Sequence, residues 1–152
     1  MKKGKTTYGS YGDIAAVDPI GDPLLKMFTI ELKRGSSYSH PGDLLDFKTV
    51  NGAHPWVRCL MQAIKSHKES GSKSWMMICK RDHRLPIVYL EARAFKRLFF
   101  CDSPNSSFVR FWLEIRQSEK GGSEEANFVG LPLEAFLEGV TPRQIIDQLN
   151  EA

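Results

Sequence analysis

Residues 74–80 (SWMMICK) constrain this chain more than any other segment. Five apolar residues follow one another between a serine and a lysine, so neither set of alternating side chains is polar. A run of that kind reads as a β-strand buried on both faces, which needs cover above and below. Charged residues Arg81 to Arg84 (RDHR) follow as a turn, and Pro86 to Leu90 (PIVYL) reads as a further strand. Upstream, Val57, Leu60, Met61 and Ile64 repeat at i, i+3, i+4 and i+7, the pattern of a helix with one buried face. Pro55 suits its first position and Gly71 its left-handed C-terminal cap.

The rest of the chain punctuates itself in the same way. Gly12 to Val17 (GDIAAV) and Leu24 to Lys33 (LLKMFTIELK) read as two strands of a hairpin, joined by Asp18 to Pro23 (DPIGDP) with its two Asp-Pro pairs. Asp43 to Phe47 reads as a helical turn and Glu91 to Phe100 as a helix. Phe108 to Ile115 alternates as a strand with one polar-tending face. Lys120 to Glu125 reads as a turn, and Asn127 to Leu131 as a strand pairing back across it. Leu133 to Leu137 forms a short helix. Thr141, Pro142 and Gln144 start the last one as a T-x-x-Q capping box. The three tryptophans, Trp56, Trp75 and Trp112, are expected in the core. Hairpin, helix, strand pair, helix, strands and helix make a mixed α/β domain. At 152 residues, 41% hydrophobic and 26% charged, one globular domain is expected over residues 11–152, after a loose, basic N-terminus at 1–10.

Charge is distributed unevenly. Residues 1–100 hold 17 basic and 9 acidic side chains, residues 101–152 hold 4 and 9, and the net formal charge is +3. A basic front raises the prospect of a polyanion-facing surface. No apolar run approaches the roughly 18 residues of a membrane span, and the first residues lack the apolar core of a secretory signal. Cys59, Cys79 and Cys101 are odd in number and widely spaced, with no CxxC pair. They read as free thiols in a reducing, intracellular (cytoplasmic) setting rather than as zinc ligands.

The segment that carries chemistry is Phe28 to Arg34 (FTIELKR). Alternate residues of a strand share a face, so Phe28, Ile30 and Leu32 are expected to enter a core while Met27, Thr29, Glu31 and Lys33 face the other way. A carboxylate there suits a hard divalent cation, and the neighbouring ammonium suits a water or a developing phosphorane charge. The second carboxylate is Asp13. Pairs symmetric about a hairpin turn near residues 20–22 sum to roughly 44, which sets Asp13 opposite Glu31. Asp18 and Asp22 fall nearer the turn and read as turn residues first.

GDIAAV, a turn and then FTIELKRG resemble the PD-(D/E)XK nuclease superfamily, which includes restriction endonucleases and archaeal-type Holliday-junction resolvases; a small stand-alone nuclease of this type would fit a bacterium or a phage. The resemblance covers about 25 residues directly. It implies a restriction endonuclease-like fold, a mixed β-sheet core flanked by helices, in which Asp13 and Glu31 bind Mg²⁺ (or Mn²⁺) and Lys33 assists the attacking water. Family members usually carry a helix before the Asp strand; only 12 residues precede Asp13 here and none is acidic, so that N-terminal helix is expected to be absent or supplied by a partner. Gln62 and Lys65 on the following helix are the supporting candidates. Arg34, Ser36, Lys80, Arg81 and Arg84 are candidates for phosphate contact, and His40 lies near in sequence. DNA is the implied partner, and a homodimer is the assembly usual among nucleases that make paired cuts. The expected function is therefore a Mg²⁺-dependent DNA endonuclease. The alternatives are a non-catalytic DNA-binding module on the same fold and a protein-interaction domain using the acidic C-terminal third.

Overall fold

A computed structural model describes residues 12–35, 40–45, 54–99, 107–116 and 122–151. The basic stretch 1–10, Ser36 and Cys101 lie outside the described residues. One mixed sheet of five strands organises the chain, in the order β1-β2-β3-β5-β4. Strands β1 (Phe28–Arg34) and β2 (Ser74–Lys80) run parallel, from Phe28 opposite Ser74 to Arg34 opposite Lys80. Parallel neighbours need a crossover, which is helix α2 (Pro55–Ser70). Strand β3 (Ile87–Glu91) returns antiparallel to β2, β5 (Ser123–Pro132) pairs antiparallel with β3, and β4 (Val109–Arg116) forms the far edge. Helices α1 (Asp22–Met27), α3 (Ala92–Leu98), α4 (Leu133–Gly139) and α5 (Pro142–Asn150) complete a single α/β domain.

Both faces of the sheet are covered, by different elements. Phe28, Ile30, Met76, Val88, Leu90, Val129 and Leu131 point to the face packed by α1, α3, α4 and α5, where Met27, Leu98, Phe136 and Ile145 meet them. Trp75, Met77, Tyr89 and Phe128 point to the opposite face, beneath Trp56, Leu60, Ala63 and Ile64 of α2. Strand β2 feeds both cores, as its unbroken apolar run requires. Sequence punctuation is obeyed at two helices. His54 Nδ1 accepts from Trp56 N at the start of α2, Pro55 stands in its first turn, and Gly71 closes it at φ 72°. The Thr141–Gln144 capping box starts α5.

The structure corrects the sequence expectations at both ends of the sheet. The hairpin between 12–17 and 24–33 does not form: residues 12–17 contain no strand, the chain turns through Pro19–Gly21, and 22–27 is helix. Asp18 accepts a hydrogen bond from Ile20 N at 2.9 Å and Pro23 sits in the first turn of α1, so the Asp-Pro pairs open helical turns rather than a hairpin loop. Coiling residues 22–27 buries Leu25 and Met27 in the first core, and Met27 therefore does not share a face with Glu31. Strand β5 starts at Ser123, inside the expected turn, because the ladder with β4 continues to Arg116 opposite Ser123. Leu32 is 45% exposed and Trp112 58%, since both lie on edge strands beyond the reach of the covering helices.

Phe128 has no exposed surface and stacks between Trp56 and Phe111, with ring centroids at 5.1 and 5.0 Å. Phe128→Ala is expected to cost about 3–5 kcal/mol, from lost burial plus the cavity left behind; a denaturant titration measures it.

Candidate active site

The α2-facing side of β1 is polar where the rest of that face is apolar. Thr29, Glu31 and Lys33 succeed one another at every second residue, roughly 6.6 Å apart along the strand. On α2, Gln62, Ser66 and Ser70 succeed one another at every fourth residue, roughly 6.0 Å apart along the helix. The two periods nearly match, and the rows pair. Thr29 Oγ1 lies 2.6 Å from Ser70 Oγ and 2.8 Å from Ser72 Oγ. Glu31 accepts from Gln62 Nε2 at 3.3 Å and is also hydrogen-bonded by Ser66. Lys33 Nζ donates to Gln62 Oε1 at 3.2 Å and stands 3.6 Å from Glu31 Oε2. Ser66, Ser70 and Ser72 are not among the sequence candidates; the i, i+4 spacing from Gln62 is the signal for Ser66 and Ser70, and Ser72, past the helix, has none.

Asp13 reaches this place without a hairpin. Its backbone N–H donates to Ile30 O at 2.8 Å, and its carboxylate accepts from Leu32 N at 2.7 Å. These two bonds straddle Glu31 and fix Asp13 against the outer edge of β1. Gly12 permits the approach: a Cβ at that position would lie 2.6 Å from Ile30 O. Asp18 and Asp22 are held elsewhere, one capping the Pro19–Gly21 turn and one in the first turn of α1.

Glu31 is almost fully enclosed, at 2% exposure. Burial raises its carboxyl above the ordinary value, the negative charge of Asp13 raises it further, and Lys33 opposes both. A buried carboxylate whose ionisation is made costlier by a neighbouring negative charge is relieved by a cation between them. Asp13 and Glu31 are hard oxygen donors, and Mg²⁺ is commonly held by one or two carboxylates with waters and substrate phosphates completing its shell. That donor set fits the ion. Among the described residues, no group of three His, Cys, Asp or Glu side chains is placed to hold a metal.

Beside Lys33, positive charge gathers at one end of the sheet. Strands β1 and β2 end together, Gly35 N donates to Lys80 O at 3.2 Å, and the charged turn 81–84 follows directly. Arg34 therefore shares one end of the sheet with Lys80, Arg81 and Arg84. Lys80 Nζ donates to the carbonyls of Arg81 and Arg84 at 2.9 and 2.5 Å, so it ties the turn together. Lys33, Lys80 and Arg81 rim a small, mostly apolar recess that they share with His40, Cys79, Trp56 and Tyr89. Burial, followed by the charge of Arg81, holds the His40 imidazole below its ordinary value, so it is neutral at physiological pH. Burial pushes the Cys79 thiol up to about 12, and neither Cys79 nor Cys59 is disulfide-bonded. Lys65 does not join the site; it is 77% exposed and pairs with Glu69 one turn along α2.

No protein-family model, no curated protein and no solved structure matches this chain. Among the described residues, no helix is long and apolar enough to cross a membrane.

Two predictions follow from the geometry. Glu31 binds its proton more tightly in the folded chain than in the unfolded one, so its contribution to stability is complete below the ordinary value of 4.5 and is lost as pH rises through the raised folded value. Glu31→Gln is therefore expected to melt higher than wild type at neutral pH, with the difference shrinking on acidification, as thermal scans across pH would record. Gly12→Ala, whose Cβ would strike Ile30 O, is expected to displace Asp13 while leaving the cores intact. Circular dichroism should stay native, and divalent-ion affinity by calorimetry should fall about 10-fold or more.

Proposed function

We propose that this chain is a metal-dependent DNA endonuclease of the PD-(D/E)XK type, with Asp13 and Glu31 as metal ligands and Lys33 as the residue that assists the attacking water. The observation that carries this reading is the convergence on buried Glu31 of Asp13, through two bonds to the β1 backbone, and of Lys33 at 3.6 Å. A mixed sheet with a parallel β1–α2–β2 crossover is compatible with a restriction endonuclease-like core.

A bound Mg²⁺ supplies a water of lowered pKa and neutralises charge on the scissile phosphate. The chain's own groups do the remainder. Lys33 orients the water and stabilises the negative charge that builds on the phosphate oxygens as the water oxygen bonds to phosphorus and the bond to the leaving sugar oxygen breaks. Gln62 receives a hydrogen bond from Lys33 and gives one to Glu31, which fixes the distance between ammonium and carboxylate. Arg34, Arg81 and Arg84, at the same end of the sheet, position the duplex through its phosphates. Ser36, a candidate for the same role, lies outside the described residues.

A second reading, a DNA-binding module without turnover, draws on that basic end and on the small donor set of two carboxylates. The two separate in one experiment. Incubated with Mg²⁺ or Mn²⁺ and duplex, branched or single-stranded DNA, the wild type is expected to cut at least one substrate, and Glu31→Gln and Lys33→Ala to lose about 100-fold or more in rate. Salt-sensitive DNA binding with no cleavage under any of these conditions selects the binding module. Gln62→Ala, which removes only the positioning contact, is expected to lose about 10-fold and to shift the pH profile of the rate toward higher pH, because Glu31 loses a hydrogen bond to its ionised form.

A further inference from the structure

We propose that the exposed face of β4, together with the adjoining rim of α3, binds single-stranded nucleic acid. Strand β4 alternates, and the residues on its uncovered side are not merely polar. Phe108, just before the strand, is 45% exposed and Trp112 58%, with the exposed Arg110 between them. Two exposed aromatic rings on one side of an edge strand form an apolar patch of the kind that marks interaction surfaces. The other two tryptophans, Trp56 and Trp75, are 3% and 2% exposed, so Trp112 is set apart by position and not by residue type.

This surface is built rather than incidental. The Phe108 ring packs on Phe95 of α3 at 4.9 Å, and Phe95 on Phe99 at 4.7 Å, so the outermost ring is supported from below. Arg110 Nε donates to Asn127 Oδ1 on β5 at 3.0 Å, which fixes the guanidinium between the two aromatic positions. A groove of about 990 Å³ runs between α3 and the β4–β5 surface. Its α3 wall carries exposed Arg93, Lys96 and Arg97. Two acids, Glu91 and Glu125, also line the groove: Glu91 is engaged by Ser74 and Arg93, and Glu125 stands opposite Glu114 in the ladder, next to the Trp112–Asn127 position.

Two aromatic rings four residues apart, with a guanidinium between them and three further cations on the facing wall, match the chemistry of an unpaired polynucleotide. Bases stack on the rings and phosphates lie along the cations. Phe108 and Trp112 are four residues apart, about 13 Å along a strand, a span for a few nucleotides. A duplex keeps its base faces stacked against one another and cannot use the rings. The surface lies on the opposite sheet face from Glu31 and at the opposite edge, four strand spacings or about 19 Å away, so it does not depend on the hydrolytic reading.

Trp112 is its own reporter. Titrating the full chain with an oligothymidine and, separately, an oligouridine of 20 nucleotides is expected to quench tryptophan fluorescence saturably, with affinity falling as salt rises; whichever oligomer binds more tightly identifies DNA or RNA as the ligand. Followed by anisotropy of a labelled oligomer, Trp112→Ala and Phe108→Ala should each weaken binding about 10-fold, and Trp112→Phe should restore most of the loss. Arg97→Glu should weaken binding without touching either ring. Run in EDTA, the titration reads binding without metal-dependent turnover, which separates this surface from the proposed hydrolytic site. The proposal is overturned if neither oligomer quenches, if Trp112→Ala binds as well as wild type, if a matched duplex competes as strongly as the single strand, or if polyglutamate quenches equally. Sedimentation showing a dimer that Trp112→Ala converts to monomer would assign the face to a second copy of the chain and also overturn it.

Discussion

Everything distinctive about this molecule depends on how the polar row of β1 meets the polar row of α2. Steps of two residues on a strand and four on a helix advance by nearly the same distance, so Thr29, Glu31 and Lys33 can each find a partner among Gln62, Ser66 and Ser70. Without that match, Glu31 would be a carboxylate at 2% exposure with Lys33 as its one partner from the strand itself. With it, a charged group survives inside an otherwise apolar layer. The cost remains visible in the raised carboxyl of Glu31, and the arrangement is one that a divalent cation would relieve.

Around that seam the sheet divides its labour. The interior strands β2 and β3 are committed to packing, with Met77, Val88 and Leu90 fully buried. The edges are free to carry chemistry. At one edge, the backbone of β1 accepts and donates hydrogen bonds to Asp13, while the end it shares with β2 gathers Arg34 and the 80–84 turn. At the other edge, β4 has one side pressed on the α2 core through Phe111 and Leu113 and the other side open, with Arg110 and Trp112 on display. The basic front half of the sequence is thus not one patch. Among the described residues, one cluster lies at the end of β1 and β2 beside Lys33 and another on the rim of α3, while Lys65 and Lys68 pair with Glu69 and Glu124.

Much of this was legible in the residues. The alternation in FTIELKR set Glu31 and Lys33 on one side of a strand, the apolar run SWMMICK announced a strand buried on both faces, and Pro55, Gly71 and the Thr141–Gln144 box marked their helix ends. The adjacency of Asp13 and Glu31 followed from symmetric pairing, yet the symmetric hairpin is not what creates it. The segment LLKM satisfies a strand and a helix equally well by composition; its conformation is settled by the burial of Leu25 and Met27 beneath α5 and the sheet, which no local pattern encodes. Lys65 and Gln62 looked equivalent on a helical wheel, and only the docking angle of α2 turned Gln62 to Glu31 and left Lys65 in water.

The sequence by itself determined the periodicities: which side chains share a face, where helices start and stop, and that a carboxylate and an ammonium stand two residues apart on a half-apolar strand. Those follow from backbone geometry, which is local. The tertiary structure alone decided that Gly12 lets Asp13 close on β1, that Ser66 and Gln62 enclose Glu31, and that Trp112 faces solvent. Each of these depends on which elements become neighbours, and neighbours are chosen by the total burial of the whole chain rather than by any segment of it.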